Sequence, residues 1–202
     1  MHQHLEQFRM GKITEAAWKK RSEDTNKKHL QAYSGHNVDY AFIGDSMMER
    51  WETTGEAILK EMHNHSSIAI LGVGGDKIEN LLYRLREKRS VLKKITINKD
   101  IRLMIGTNNL ESNTEEEIVE GIIQVITTIK AQSSAAIKFI LLPYKGEVER
   151  EKVDRINAEL QKVVIENVFF VDMFFDFTPD HYDDATHFNE GGYRLWSERI
   201  LS

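Results

Sequence analysis

Five short, mostly apolar runs punctuate the chain: Val38–Ile43, Ile68–Leu71, Ile101–Ile105, Ile137–Leu142 and Val168–Val171. Runs of this length and character fit strands of a parallel sheet covered on both faces. Between and around them, apolar positions recur at helical spacing. The predicted helices span Thr14–Tyr33, Met48–Met62, Lys77–Lys88, Thr114–Gln132, Val148–Val164 and Glu190–Leu201. Asn113-Thr114 followed by Glu115-Glu116-Glu117 reads as a helix cap with an acidic first turn. Strands alternating with helices predict a doubly wound α/β sandwich around a five-stranded parallel sheet.

This pattern also says where ligands bind. In open parallel sheets they bind beyond the carboxyl ends of the strands, near the switch in strand order. Gly44-Asp45-Ser46 directly follows the first apolar run. Gly72-Val73-Gly74-Gly75-Asp76 follows the second, and Gly106-Thr107-Asn108-Asn109 the third. All three segments therefore belong at one edge of the sheet. Asp184-Ala185-Thr186-His187 comes after the last strand and before the final helix, in a loop able to fold back over that edge.

Composition narrows the field without choosing a function. The 202 residues fit one domain, with the first 36 as a helical segment packed on it. A net charge of −5 argues against a nucleic-acid or anionic-membrane surface. The clusters Lys19-Lys20-Arg21 and Lys93-Lys94 read as solvated helix faces. With no cysteine there is no disulfide and no thiolate metal site. No apolar run approaches the ~20 residues of a membrane span. The N-terminus shows no leader, so the expected location is cytoplasmic. Only Pro143 and Pro179 occur, both in connections.

Each segment has a chemical and a plain reading. Ser46 at a helix start is an N-cap or a nucleophile beside free N–H groups. The glycine loop fails as a dinucleotide site, because Lys77 stands where the last glycine of G-x-G-x-x-G belongs. It otherwise reads as a β–α turn or as a backbone donor to a reacting carbonyl. Asn108 is an Asx-turn residue or an uncharged oxyanion donor. Asp184 and His187 are a surface pair or an orienting carboxylate with its base. Asp183 competes with Asp184 for that role. His63-x-His65 has no third metal ligand. His2, His4, His29 and His36 read as surface residues, and His181 as rim. Asp172 and Asp176 read as turn residues, Trp51 and Trp196 as core.

In this order the four segments resemble the blocks of the SGNH (GDSL-type) hydrolase family, which supply Ser, Gly, Asn and His. The resemblance spans about residues 38 to 200. Within it the chain is similar to the catalytic subunits of platelet-activating-factor acetylhydrolase Ib and their bacterial relatives. Phe42-Ile43-Gly44-Asp45-Ser46, Leu82-Tyr83-Arg84-Leu85 and Leu141-Leu142-Pro143 carry that likeness. Two positions depart from the family pattern: Ile70 replaces a common asparagine, and Lys77 a common threonine. The resemblance implies a flavodoxin-like three-layer α/β/α sandwich. It implies a serine esterase with a Ser46-His187-Asp184 triad and an oxyanion hole of Ser46, Gly75 and Asn108. It needs neither metal nor cofactor, acts on a small-molecule ester and suggests a homodimer. A short acyl group, acetyl, is expected, with Met47, Thr186 and Phe188 crowding the acyl side. The alternatives are a carbohydrate O-acetylesterase, a longer-chain lysophospholipase or thioesterase, and a non-catalytic binding protein on the same fold.

Overall fold

A computed structural model of the protein describes residues 18–86, 88–145 and 150–202. Five parallel strands form one sheet in the order β2-β1-β3-β4-β5. They are β1 (Asn37–Gly44), β2 (Ile68–Gly72), β3 (Thr96–Met104), β4 (Ala136–Ile140) and β5 (Val168–Val171). The predicted strands are all present. β3 starts earlier than its apolar run, because Thr96 and Ile97 pair with Asn37 and Val38 where that end of the sheet is more exposed.

Alternate strand residues feed two cores. Ala41, Ile43, Ala69, Leu71, Leu103 and Phe139 face one layer. That layer includes α1 (Lys20–Tyr33), α4 (Ile78–Arg84), α5 (Glu115–Lys130) and α6 (Arg150–Gln161). Tyr40, Phe42, Ile68 and Ile70 face the other layer. It is built from α2 (Ser46–Glu49), α3 (Glu56–His63) and α7 (Glu190–Ile200). This two-sided burial explains the near-continuous apolar strands. Thr114 caps α5, and Glu117 reaches back to the Thr114 N–H at 3.1 Å, closing a capping box.

The helix predicted over Met48–Met62 is three pieces. α2 is followed by a 3-10 turn at Arg50–Glu52, and α3 begins only after Thr53-Thr54-Gly55. A Cβ at Gly55 would lie 3.1 Å from both Trp51 and Tyr193, so the break lets the chain pass close to these rings. Trp51 and Trp196 are fully buried, with ring centroids 5.3 Å apart. His63, His65 and His36 are exposed. His29 differs from expectation. It lies on the buried face of α1, and burial together with the Arg84 charge pushes its imidazole down to about 3. His2, His4 and residues 14–17 of the first predicted helix lie outside the described residues, as do 148–149 of the fifth.

Candidate active site

The chain leaves β1 to build β2 on one side and β3 on the other, so the strand order reverses at the β1–β3 boundary. Ser46 follows β1 and Asn108 follows β3, which places them astride that switch point. Gly44 makes the exit from β1 tight: a Cβ there would sit 2.0 Å from the Met104 carbonyl oxygen. Asp45 caps α2 by accepting the Met47 N–H at 3.0 Å. Ser46 is then the first helical residue, with its own N–H among the first-turn donors that lack an intrahelical partner.

A chain of hydrogen bonds runs outward from the hydroxyl. Ser46 Oγ lies 2.9 Å from His187 Nε2. His187 Nδ1 lies 2.8 Å from Asp184 Oδ2. Asp184 Oδ1 also accepts the backbone N–H groups of Thr186 and His187, each at 2.7 Å. Partial burial raises the Asp184 carboxyl, but the bonds from His187 and the two backbone donors outweigh it and hold the group at about 2. An ionised carboxylate on Nδ1 keeps that proton in place and leaves Nε2 free to accept from the serine. The carboxylate against His187 Nδ1 is that of Asp184; the Asp183 backbone N–H bonds the His187 carbonyl at 2.8 Å, closing the loop.

The other two segments converge on the same edge. Gly75 has φ +73, a conformation that L side chains rarely adopt, and is exposed at the tip of its loop. Asn108 Nδ2 donates to the Asp76 carbonyl at 2.9 Å. That bond uses one of its two amide protons and leaves the other for a ligand. Asn109 anchors the same turn by accepting the Ile78 N–H at 3.0 Å.

Two of the three residues expected to crowd an acyl group, Met47 and Phe188, are buried away from the surface in the second core. Met47, next in the helical turn, points away from the edge that Ser46 faces. The Tyr193 hydroxyl donates to its carbonyl at 2.8 Å. Phe188 packs among Phe177, Tyr182 and Phe174 at 4.6, 4.9 and 5.2 Å. Thr186 is half-buried, and its N–H serves Asp184. His181 also acts structurally: its Nδ1 accepts the Thr178 N–H at 3.0 Å. Asp172 is a turn residue, accepting the Phe174 N–H at 2.9 Å.

Sequence reasoning missed the support beneath the site. Asp76 and Arg84 form a buried ion pair at 2.8 Å. Lys19, read as part of a solvated face, instead donates to the Gly75 carbonyl at 2.9 Å. Arg21 pairs with Glu49 at 2.8 Å, so α1 is tied to both the glycine loop and α2. Asp45 is fully buried, and its carboxyl is pushed up to about 7. Burial is the main cause; the Met47 N–H opposes it and the nearby Asp76 charge adds to it.

A Ser-His-Asp hydrogen-bond chain at the switch point of a parallel sheet has the geometry that acyl-transfer hydrolases use. The sequence profile of the GDSL-like lipase/acylhydrolase family matches residues 42–195. The chain belongs to that family and is a carboxylic ester hydrolase. No curated protein matches it. Solved structures share the fold at low identity. A lipolytic protein of the G-D-S-L family from Veillonella parvula is 17% identical, with TM-score 0.61, covering 82% of this chain and 96% of that one. A variant of an acetyl-xylooligosaccharide esterase from Geobacillus stearothermophilus is 16% identical, with TM-score 0.62, covering 84% and 94%. A family 3 carbohydrate esterase from Clostridium thermocellum is 19% identical, with TM-score 0.57, covering 82% and 93%.

Proposed function

We propose that the protein hydrolyses short-chain carboxylic esters, acetyl esters above all, through a Ser46-His187-Asp184 triad. The observation that carries this is the unbroken Ser46–His187–Asp184 hydrogen-bond chain, 2.9 and 2.8 Å in its two links. His187 Nε2 takes the Ser46 proton as Oγ attacks the ester carbonyl. The N–H groups of Ser46 and Gly75 and the free Asn108 amide proton stabilise the tetrahedral oxyanion. The protonated imidazole then gives its proton to the leaving alcohol. Water, deprotonated by His187, attacks the acyl-enzyme and releases the acid and free Ser46. The preference for acetyl rests on the resemblance to acetylhydrolases, since Met47 and Phe188 are withdrawn from the surface. The test is kcat/KM for p-nitrophenyl acetate, butyrate and octanoate with wild type and Ser46→Ala. Wild type should favour acetate and the variant should be inactive. An optimum at octanoate would overturn the acyl preference, and normal turnover by Ser46→Ala would overturn the triad.

A second reading, a carbohydrate O-acetylesterase, is supported by a cavity of ≈ 440 Å³ at the carboxyl ends of β4 and β5. Tyr144, Arg150, Asp154, Asp172, Phe175 and Tyr182 contribute to its lining. Aromatic faces mixed with carboxylates and a guanidinium suit the ring faces and hydroxyls of a sugar. Two of its lining residues lead toward the segments that carry the site. Tyr182 is bridged to Phe188, next to His187. Leu142, another lining residue, has its Cδ1 3.5 Å from where a Gly106 Cβ would stand. A much higher kcat/KM for an acetylated xylo-oligosaccharide than for p-nitrophenyl acetate, lost in Asp172→Ala with Phe175→Ala, would establish this reading. Equal use of both substrates would remove it.

A further inference from the structure

We propose that Arg84 is a positioning residue for the oxyanion hole, its one guanidinium tying together the chain segments that carry all three donors. The inference rests on the esterase reading for what those donors do, but the tie itself is geometric. The donor segments leave three different strands, and the ladder between β1 and β2 carries on only as far as the Val73 N–H, which bonds the Gly44 carbonyl at 3.0 Å. Beyond that point something else must fix Ser46, Gly75 and Asn108 relative to one another.

Arg84 sits beneath this edge, almost fully buried at the end of α4. Nη2 donates to the Gly44 carbonyl at 3.2 Å, two residues before Ser46. Nη1 donates to the Leu71 carbonyl at 3.2 Å, at the exit of β2. Nε donates to Asp76 Oδ2 at 2.8 Å. Asp76 directly follows Gly75, and its own carbonyl holds Asn108 Nδ2 at 2.9 Å. A shift of Asp76 therefore moves the Gly75 N–H and the Asn108 amide together. The second Asp76 oxygen accepts the Ser22 hydroxyl from α1, so both carboxylate oxygens have partners.

Stability alone is a weak reason for such a pair. Buried ion pairs can often be replaced by apolar residues of similar volume at little cost in stability. What an apolar residue cannot supply is a planar fork that reaches two carbonyls and a carboxylate at fixed angles. Lysine, a single point donor, cannot reproduce it either. Misplacement of a reacting group by about 1 Å typically costs about 100-fold in rate. Arg84 touches no substrate; it acts through the backbone and through Asp76.

The experiment compares wild type, Arg84→Lys, Arg84→Met and Ser22→Ala, with Ser46 and His187 intact. It records kcat and KM for p-nitrophenyl acetate, the midpoint of the acid limb of the pH profile, thermal melting, and the ¹H–¹⁵N signals of Gly75 and the Asn108 side chain. Arg84→Lys should melt as a folded protein and lose about 10- to 100-fold in kcat, with KM within about two-fold of wild type. The acid-limb midpoint should not move, because the His187–Asp184 pair is untouched. The Gly75 and Asn108 signals should shift. Ser22→Ala, which removes a single bond to the same carboxylate, should lose about 3- to 10-fold in kcat in the same way. It decides the matter if the Arg84 variants do not fold. Unchanged kcat in the folded variants would overturn the proposal, as would a rise in KM alone. If wild type hydrolyses no ester, the esterase reading fails by itself. The Gly75 and Asn108 signals then decide the tie: unshifted signals in folded Arg84→Lys, or in Ser22→Ala if Arg84→Lys does not fold, overturn it.

Discussion

The two halves of the site are held in opposite ways. The half that carries Asp184 and His187, the base half of the proposed triad, is local and partly exposed. Asp184 and His187 lie three residues apart, and the carboxylate accepts from the imidazole and from the N–H groups of Thr186 and His187. The Tyr182–Phe188 bridge closes this loop on itself, and the aromatic cluster beneath and the Ser46–His187 bond hold it to the body. The half that carries Ser46, Gly75 and Asn108 rests on a long-range, buried support. Gly44, Leu71, Asp76, Arg84 and Ser22 come from four elements and a loop, and meet in one hydrogen-bonded cluster. Damage to the base half should therefore remove activity and leave folding intact. Damage beneath the oxyanion half should disturb both, because partly satisfied buried polar networks are costly.

The largest effect tests the point where the halves meet. Ser46→Ala should lower kcat by about 10³- to 10⁶-fold, with melting temperature almost unchanged. Steady-state kinetics beside thermal melting checks both parts. His187→Ala should approach the same loss. Asp184→Asn should be equal or milder, because it spoils the tautomer and not the hydroxyl. If either base-half variant melts far below wild type, the contrast between a local and a long-range half breaks.

Next in size is Asn108→Ala. It should cost kcat about 10²- to 10³-fold, roughly 3–4 kcal/mol, with little change in KM. A raised KM with unchanged kcat would make Asn108 a ground-state contact and leave the oxyanion to backbone donors.

The smallest effect concerns pH. The Asp45 carboxyl is raised to about 7 in the folded protein, against ~3.9 for an ordinary aspartate. The folded state therefore binds this proton more tightly than the unfolded chain. The resulting stabilisation is complete below the ordinary value and fades as pH rises through about 7. Melting temperature should fall between about pH 5 and about pH 8, and Asp45→Asn should flatten that fall. An identical fall in the variant would assign the pH dependence to another group.

The same contrast explains what could be read in the chain. Ser46, Asn108, Asp184 and His187 stand in short motifs after apolar runs or before a helix, and parallel-sheet rules place such motifs at one edge. Strand positions were legible for the same reason: both faces of the inner strands are covered, so the runs are mostly apolar. Arg84 and Asp76 were not. Nothing in the sequence near Arg84 announces that its guanidinium reaches the Gly44 carbonyl, 40 positions away. Nor did helical spacing reveal that Thr53-Thr54-Gly55 breaks a helix so that Trp51 and Tyr193 can close on Gly55. Met47 shows the opposite error. Its place beside Ser46 suggested a pocket wall, but adjacent helical positions point about 100° apart, and Met47 points into the core.

The proposed triad requires that His187 make Ser46 nucleophilic. The most direct measurement is the labelling of the native protein by a fluorophosphonate, read by mass spectrometry of its peptides. Wild type should give a single adduct on Ser46, and folded His187→Ala should label at least about 100-fold more slowly. An adduct on another residue, or equally fast labelling of Ser46 without His187, would contradict the triad.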